Sequence, residues 1–212
     1  MQEQKNIIDC YNKTARKYAE KFIDELNKKH LDRILLQSFA NENINNGRFI
    51  DLGCGPGQTT KYLFDCGITG VIGADISTEM IAVAKELNPM LHFEVADVLN
   101  LKYADHSFGA AVAFYSIVHF DYDQIKSAFN EIKRILINHG QFLFSFHVGD
   151  NVIHLDDFLE QSVNIDFNFF ETNKILDCLT GTGFEIIDTI ERQAYPDVEY
   201  PSRRAYIWAK TN

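Results

Sequence analysis

The stretch Phe49-Ile50-Asp51-Leu52-Gly53-Cys54-Gly55-Pro56-Gly57 decides the fold. A short apolar run enters a loop with three alternating glycines, and a helical pattern follows near Gln58–Cys66. Glycine lets a backbone turn sharply from strand to helix and lets a ligand approach it closely. The next apolar run, within Gly70–Ile76, places Asp75 near its end. A carboxylate there can accept hydrogen bonds from ribose hydroxyls, so the two features together predict a nucleoside-containing cofactor across the carboxyl ends of the strands.

Outward from this unit, short apolar runs alternate with helical periods. Arg48–Leu52, Gly70–Ile76, Leu91–Ala96, Phe108–Phe114 and Gly140–Phe146 read as strands, and Thr78–Leu87 and Tyr122–Leu136 as helices. Near-continuous apolar strands separated by helices indicate a parallel sheet covered on both faces. Lys174–Thr180 reads as a last helix, stopped by Gly181-Thr182-Gly183, and Phe184–Glu191 and Ala205–Lys210 as two final strands. Residues 192–204 between them hold Pro196 and Pro201 and no helical period, which suggests an antiparallel edge. The expected fold is α/β: a Rossmann-like, doubly wound sheet of seven strands, mostly parallel with an antiparallel C-terminal hairpin. Before the glycine loop, Ile8, Tyr11, Ala15, Tyr18, Ala19 and Phe22 recur at helical spacing, and a second helix is expected around Leu31–Phe39. The expected organisation is therefore a helical lid over residues 1–46 and a cofactor-binding domain over 47–212. An insertion at about 147–173, with Asp156, Asp157, Phe158, Phe167, Phe169 and Phe170, should roof the substrate site.

Dinucleotide folds carry G-x-G-x-x-G, where a helix N-terminus faces a pyrophosphate. This chain has G-x-G-x-G with Pro56 inside the loop. Asp51 adds a negative charge beside the loop, which would repel a phosphate and hold an ammonium group. S-adenosylmethionine has an amino group, a sulfonium and no phosphate. Over about residues 8–210 the sequence resembles the class I S-adenosylmethionine-dependent methyltransferases of the small-molecule type. Asp51 to Gly57 match that family's D-L-G-C-G-x-G motif residue by residue, which implies that Asp51, Gly53, Gly55 and Gly57 cradle the methionine part of the cofactor. The resemblance further implies that Asp75 binds ribose, Ile76 lies against adenine, and Ala96-Asp97-Val98 forms the adenine edge contact, with Asp97 accepting from the exocyclic amine. Phe108 to His119 resembles the fourth strand and the segment after it, so Phe114 faces the cofactor. Family members often carry Asp where this chain has Gly109. Tyr11-x-x-x-Ala15-x-x-Tyr18 resembles a helix that closes over the cofactor, and Leu179-x-x-x-Gly183-Phe184 with Lys210 resembles the family's last helix and hairpin.

Methyl transfer by in-line displacement leaves a neutral thioether, so placing the nucleophile supplies most of the rate, roughly 7–11 kcal/mol of barrier. A base adds typically about 10²–10⁴-fold where the acceptor carries a proton. His119, just after the fourth strand, is the first base candidate, weighed against a histidine that merely caps the next helix beside Asp121 and Asp123. His147, at the end of the fifth strand, is a second, and Tyr115 a contact to cofactor or substrate. Tyr195, Arg203, Arg204 and Tyr206 cluster around the final hairpin. An arginine pair there can grip a carboxylate or phosphate, but solvated strand-end charge is the simpler reading. Cys54 reads as packing only.

The remaining composition sets bounds. The 212 residues suit one domain, and 46% hydrophobic with 24% charged residues excludes a wholly disordered chain. A net charge of −10 argues against nucleic acid and anionic membrane. The one dense basic cluster, Lys28, Lys29 and Arg33 with His30, reads as a solvated helix face. No apolar run reaches the ~18 residues of a membrane span and the N-terminus has no apolar h-region. The four scattered cysteines fit reduced thiols in the cytoplasm, and neither they nor the histidines have metal-ligand spacing. A small-molecule acceptor is the expected partner. The competing readings are a nicotinamide-dependent oxidoreductase, which lacks its glycine spacing here, and a non-catalytic module that keeps the cofactor fold.

Overall fold

A computed structural model describes residues 2–212. Seven strands form one sheet in the order β3-β2-β1-β4-β5-β9-β8. They are β1 (Phe49–Leu52), β2 (Val71–Asp75), β3 (His92–Val95), β4 (Phe108–Phe114), β5 (Leu136–Val148), β8 (Phe184–Arg192) and β9 (Arg203–Thr211). The first five pair in parallel, and β9 runs antiparallel between β5 and β8. This is the expected fold, with the expected hairpin at its C-terminal edge.

Both faces of the sheet are covered, and single strands show how. Ile50 and Leu52 of β1, with Ala111 and Ala113 of β4, join a core with α5 (Tyr122–Ile135) and α6 (Thr172–Gly181). The alternate residues Phe49, Ala110 and Val112 face α2 (His30–Asn43) and α3 (Gln58–Asp65). The two-residue period of the strand thus feeds both cores. Phe142 and Phe144 of β5 stack at 4.7 Å between centroids within the first of them.

Gly109, where family members often carry Asp, has a packing reason. A Cβ there would lie 1.7 Å from the carbonyl oxygen of Asn46. The backbone before β1 crosses the start of β4 too closely for any side chain.

The two N-terminal helices do different work. Leu36, Phe39 and Ala40 of α2 are fully buried on the sheet. Helix α1 (Gln2–Phe22) lies outside the two main cores, with Ala15 and Ala19 on Met80 and Val83 of α4 (Thr78–Leu87). The covering element is therefore α1, and α2 is a layer of the core. Met1, where the expected lid begins, lies outside the described residues.

The insertion contains two strands that the sequence reading missed, β6 (Val152–Phe158) and β7 (Gln161–Asn168), paired as a separate antiparallel hairpin. Its turn residues Leu159 and Glu160 both have positive φ, 53° and 59°. A two-residue turn of that shape normally carries Asn-Gly or Asp-Gly, so the usual hairpin signal is absent. No helix of the described residues is long and apolar enough to cross a membrane.

Candidate active site

The glycine loop is held from three sides. Gly53, Gly55 and Gly57 have φ of 71°, 52° and 91°, the left-handed region where side chains are strained. A Cβ on Gly53 would meet the Cβ of Ser116, after β4, at 2.3 Å, and one on Gly57 would meet the Phe93 ring at 2.7 Å. The loop is thus pressed against the segment that follows β4. The backbone N–H groups of Gly53 and Cys54 donate to the carbonyl of Ala74 at 2.7 and 3.0 Å, tying the loop to β2.

Asp75 ends β2. Its carboxylate accepts the N–H of Gly55 at 3.0 Å on one oxygen and the N–H of Ser77 at 2.8 Å on the other. Each oxygen keeps lone-pair capacity for a ligand hydroxyl. Ser77 in turn caps α4 by accepting the N–H of Met80 at 3.1 Å. Asp51, at the end of β1, is 1% exposed and accepts the hydroxyl of Thr60 at 2.6 Å. Burial pushes its carboxyl up to about 7, opposed by the Thr60 bond and reinforced by Asp75. Asp75 is also raised, chiefly by burial, with its backbone donors opposing. Among the described residues neither carboxylate has a Lys or Arg partner within 4.0 Å. Two desolvated carboxylates without a cation fit a positively charged ligand and disfavour a pyrophosphate. The cradle thus fits S-adenosylmethionine, whose sulfonium carries the transferable methyl group.

Helix α1 lies across this cradle. Gln4 donates to Asp97 at 2.7 Å, and Asp97 also accepts the N–H of Leu99 at 2.9 Å. Asn12 accepts the Ser77 hydroxyl at 2.7 Å. The Tyr18 ring comes within 3.9 Å of the Cβ position of Gly55. Tyr11 and Tyr18 meet edge to face at 6.1 Å, and both meet Phe158 of β6. Exposed ion pairing of Lys17 with Glu160 adds little to this closure. Ile76, Val98 and Phe114 are partly buried around the loop ends, Val98 packing on the α5 core and Phe114 on the α2 core.

The catalytic candidates separate. The Nε2 of His119 lies 2.7 Å from the Tyr11 hydroxyl, and its Nδ1 lies 2.7 Å from the carbonyl oxygen of Asp166. Burial lowers its pKa to about 4. It does not cap α5: Asp121 and Gln124 form that capping box. The Nδ1 of His147 is 2.7 Å from the Ser202 hydroxyl, and Phe169 stacks on its ring at 5.1 Å. Its pKa falls to about 4 through burial, with Arg204 and Lys29 adding to the fall. The Tyr115 hydroxyl is already engaged, 2.9 Å from that of Tyr206 and 3.4 Å from Asp32.

That last contact belongs to a buried charge network, and it corrects two expectations. Arg192 bonds Glu199 with both terminal nitrogens, at 2.6 and 2.9 Å, and Asp32 at 2.9 Å. Lys29, expected on a solvated face, is 7% exposed and pairs with Glu25 at 2.7 Å. Arg204, read as a solvated strand end, is 2% exposed with its Nε 3.2 Å from Glu199. Burial is possible because the fold brings opposite charges together from distant segments. Glu199 consequently stays ionised, down to about 2, because its cationic partners outweigh its burial. The network staples the segment between β8 and β9 onto α2. Sequence reading missed Asp32, Arg192 and Glu199, and also Gln4 and Asn12, since no local spacing marks such pairs. Only Ser77 had a readable signal, a serine at a helix start.

Comparison with known proteins agrees with this geometry. Residues 50–144 match the family model described as a methyltransferase domain. The methyltransferase GfsG of Streptomyces halstedii is 30% identical over 136 residues, covering 59% of this chain and 46% of that protein. An O-methyltransferase of Pyrenophora dematioidea is 26% identical over 151 residues, covering 67% of this chain and 55% of its own length. The chain thus spans about half the length of these curated relatives. Among solved structures, the magnesium protoporphyrin IX methyltransferase of Synechocystis PCC 6803, with bound S-adenosylmethionine, superposes with a TM-score of 0.74 at 16% identity, covering 99% of this chain and 97% of that one. That superposition speaks for the fold, and the matched domain carries the glycine loop, Asp75 and Asp97 within it. Residues 50–144 of this chain are thus similar to a methyltransferase domain, carried on the fold of that solved structure.

Proposed function

We propose that the protein transfers a methyl group from S-adenosylmethionine to a small-molecule acceptor lying between the segment after β4, helix α1 and the β6–β7 hairpin. The observation that carries this reading is a pair of carboxylates without a cation of their own, the buried Asp51 and the half-buried Asp75. Gly53, Gly55 and Gly57 would cradle the methionine part, Asp51 would face its positive charge, and Asp75 would hold the ribose. Ile76 and Val98 would flank adenine, with Asp97 on its amine and Phe114, Tyr11 and Tyr18 enclosing the whole. We assign proton removal to His119, whose neutral ring faces the aromatic pocket of Tyr11, Phe158 and Phe167. Tyr115 and His147 are assigned to the wall of the acceptor site, since the Tyr115 hydroxyl and His147 Nδ1 are occupied. The O-methyltransferase relative supports oxygen as the methylated atom.

Calorimetry should show micromolar binding of S-adenosylmethionine or S-adenosylhomocysteine, about −8 kcal/mol. A panel of phenols, amines and carboxylates would then be screened for S-adenosylhomocysteine release. Tight NADH binding without heat from either ligand would instead support the oxidoreductase reading.

A further inference from the structure

His147, near the end of β5, has one ring nitrogen engaged among the described residues. That one, Nδ1, is 2.7 Å from the Ser202 hydroxyl. Arg204 Nη1 lies 3.3 Å from the same oxygen, and a guanidinium can only donate. The Ser202 oxygen therefore takes Arg204 on a lone pair and gives its own proton to Nδ1. The proton of the neutral ring then sits on Nε2, where no group among the described residues accepts it. A half-buried donor left in this way calls for an accepting ligand atom or a water. The surroundings show which kind of ligand. Arg204 is 2% exposed. Lys29 is also buried, and its Nζ lies 4.8 Å from the centre of the Tyr115 ring, which is 5.4 Å from that of His147. Their carboxylate partners are Glu25, at 2.7 Å from Lys29, and Glu199, at 3.2 Å from Arg204 and 3.7 Å from Lys29. Glu199 is held harder by both terminal nitrogens of Arg192, and Asp32 is taken by Arg192 and Tyr206. The carboxylates are thus drawn toward Arg192, and the His147 ring feels mainly cations. Its pKa falls to about 4, first by burial, then by Arg204 and Lys29, with Glu199 opposing least. Two aromatic rings complete the surface. Phe169 stacks on His147 at 5.1 Å, and Tyr200, itself 55% exposed, meets both edge to face at 6.4 and 6.0 Å.

We propose that His147, Arg204 and Lys29 form an anion subsite of the acceptor pocket, so that the methyl acceptor carries a carboxylate on a planar apolar body. This names the acceptor class of the proposed methyl transfer and rests on that reading. The Nε2–H of His147 donates to a carboxylate oxygen, and Arg204 and Lys29 supply the positive field behind it. The planar body lies against Phe169, Tyr115 and Tyr200, flat walls of the kind that hold small ligands. The carboxylate is the anchor and not the nucleophile, because a donor and two cations draw electron density from its oxygens. The methylated oxygen is therefore a different atom of the same acceptor. Arg203, the neighbour of Arg204, takes no part: it is exposed and pairs with Glu191. Bracing of the β8–β9 segment accounts for Arg192, whose partners are all in place, but it leaves the His147 donor without a purpose.

The probe is benzoate, with benzamide as its neutral counterpart of the same shape, each titrated into the full chain with and without S-adenosylhomocysteine. His147 is followed by ring ¹⁵N NMR, its signals assigned from a His147→Gln variant. Benzoate should bind at least about tenfold more tightly than benzamide, the effect of one charge-assisted hydrogen bond. It should also raise the His147 midpoint by at least about half a pH unit, because an anion on the ring favours the protonated form. Lys29→Gln and Arg204→Gln should each abolish the preference while benzamide affinity changes by less than about threefold, since charge and not shape is removed. Where Arg204→Gln does not unfold cooperatively, Lys29→Gln decides. Equal affinities for the two probes, no binding of benzoate, or a His147 midpoint that benzoate leaves in place overturns the subsite. A preference for benzoate that survives the substitutions overturns it as well. Every reading is made without turnover, so a chain that holds benzoate at His147 and transfers no methyl group fails the functional reading alone and keeps the subsite.

Discussion

The carboxylate of Asp75 accepts the backbone N–H of Gly55 at 3.0 Å, so the acid that ends β2 and the glycine loop that follows β1 form one unit. Its second oxygen holds Ser77 at the start of α4, where Asn12 of α1 also docks. Removing the carboxylate therefore loosens the loop as well as the ribose contact. Asp75→Ala should weaken S-adenosylhomocysteine binding at least ~30-fold, the effect of about one charged hydrogen bond worth 2 kcal/mol. Calorimetry on a variant that still unfolds cooperatively checks this, and unchanged affinity would reduce Asp75 to a structural brace.

Asp51 gives a pH signature. Its folded pKa is raised to about 7, so at acid pH the site holds a neutral carboxyl and above 7 a carboxylate. A cationic ligand binds the carboxylate better, so affinity for S-adenosylmethionine should rise as pH increases through about 7, with proton release on binding. The same shift costs stability in the opposite direction. The unfolded group ionises near 3.9, so the stabilisation present below that pH is lost as pH rises toward the folded value. Asp51→Asn should then flatten the pH dependence of affinity and raise the unfolding midpoint of the free protein at pH 8. A variant destabilised at pH 8 would show that the Thr60 bond requires the charge.

Helix α1 should be the least protected helix in the free protein. Its buried apolar residues are the small Cys10, Ala15 and Ala19, whereas α2 buries Leu36 and Phe39 completely. Elements with few buried contacts open at low free energy. Amide exchange in residues 2–22 should slow on adding S-adenosylhomocysteine more than exchange in the strands does. Equal protection with and without ligand would make α1 a permanent layer.

Gly109 is a further check on packing. An alanine Cβ would sit 1.7 Å from the Asn46 carbonyl oxygen, a backbone atom that cannot swing aside. Gly109→Ala should cost about 1–3 kcal/mol or more, read as a lower urea midpoint. A neutral effect would mean that the chain before β1 shifts freely.

The sequence alone determined the sheet and the cofactor cradle. Both rest on local rules: apolar runs with a two-residue period, glycines at a strand-to-helix turn, and an acid ending the next strand. Those rules place Gly53, Gly55, Gly57 and Asp75 without knowledge of anything far away. Only the tertiary structure decided what α1, the insertion and the charged residues do. The β6–β7 turn at Leu159-Glu160 lacks the glycine that normally announces it, so its strands stayed hidden. Lys29 and Arg204 looked solvated because Glu199, which lies 3.7 Å and 3.2 Å from them, reaches both from a loop with no marked pattern. The Tyr11–His119 contact joins residues 108 positions apart. Polar pairs of that kind have no periodicity to betray them, because a hydrogen bond fixes only where two atoms meet, and that meeting is settled by how the apolar faces of the elements pack.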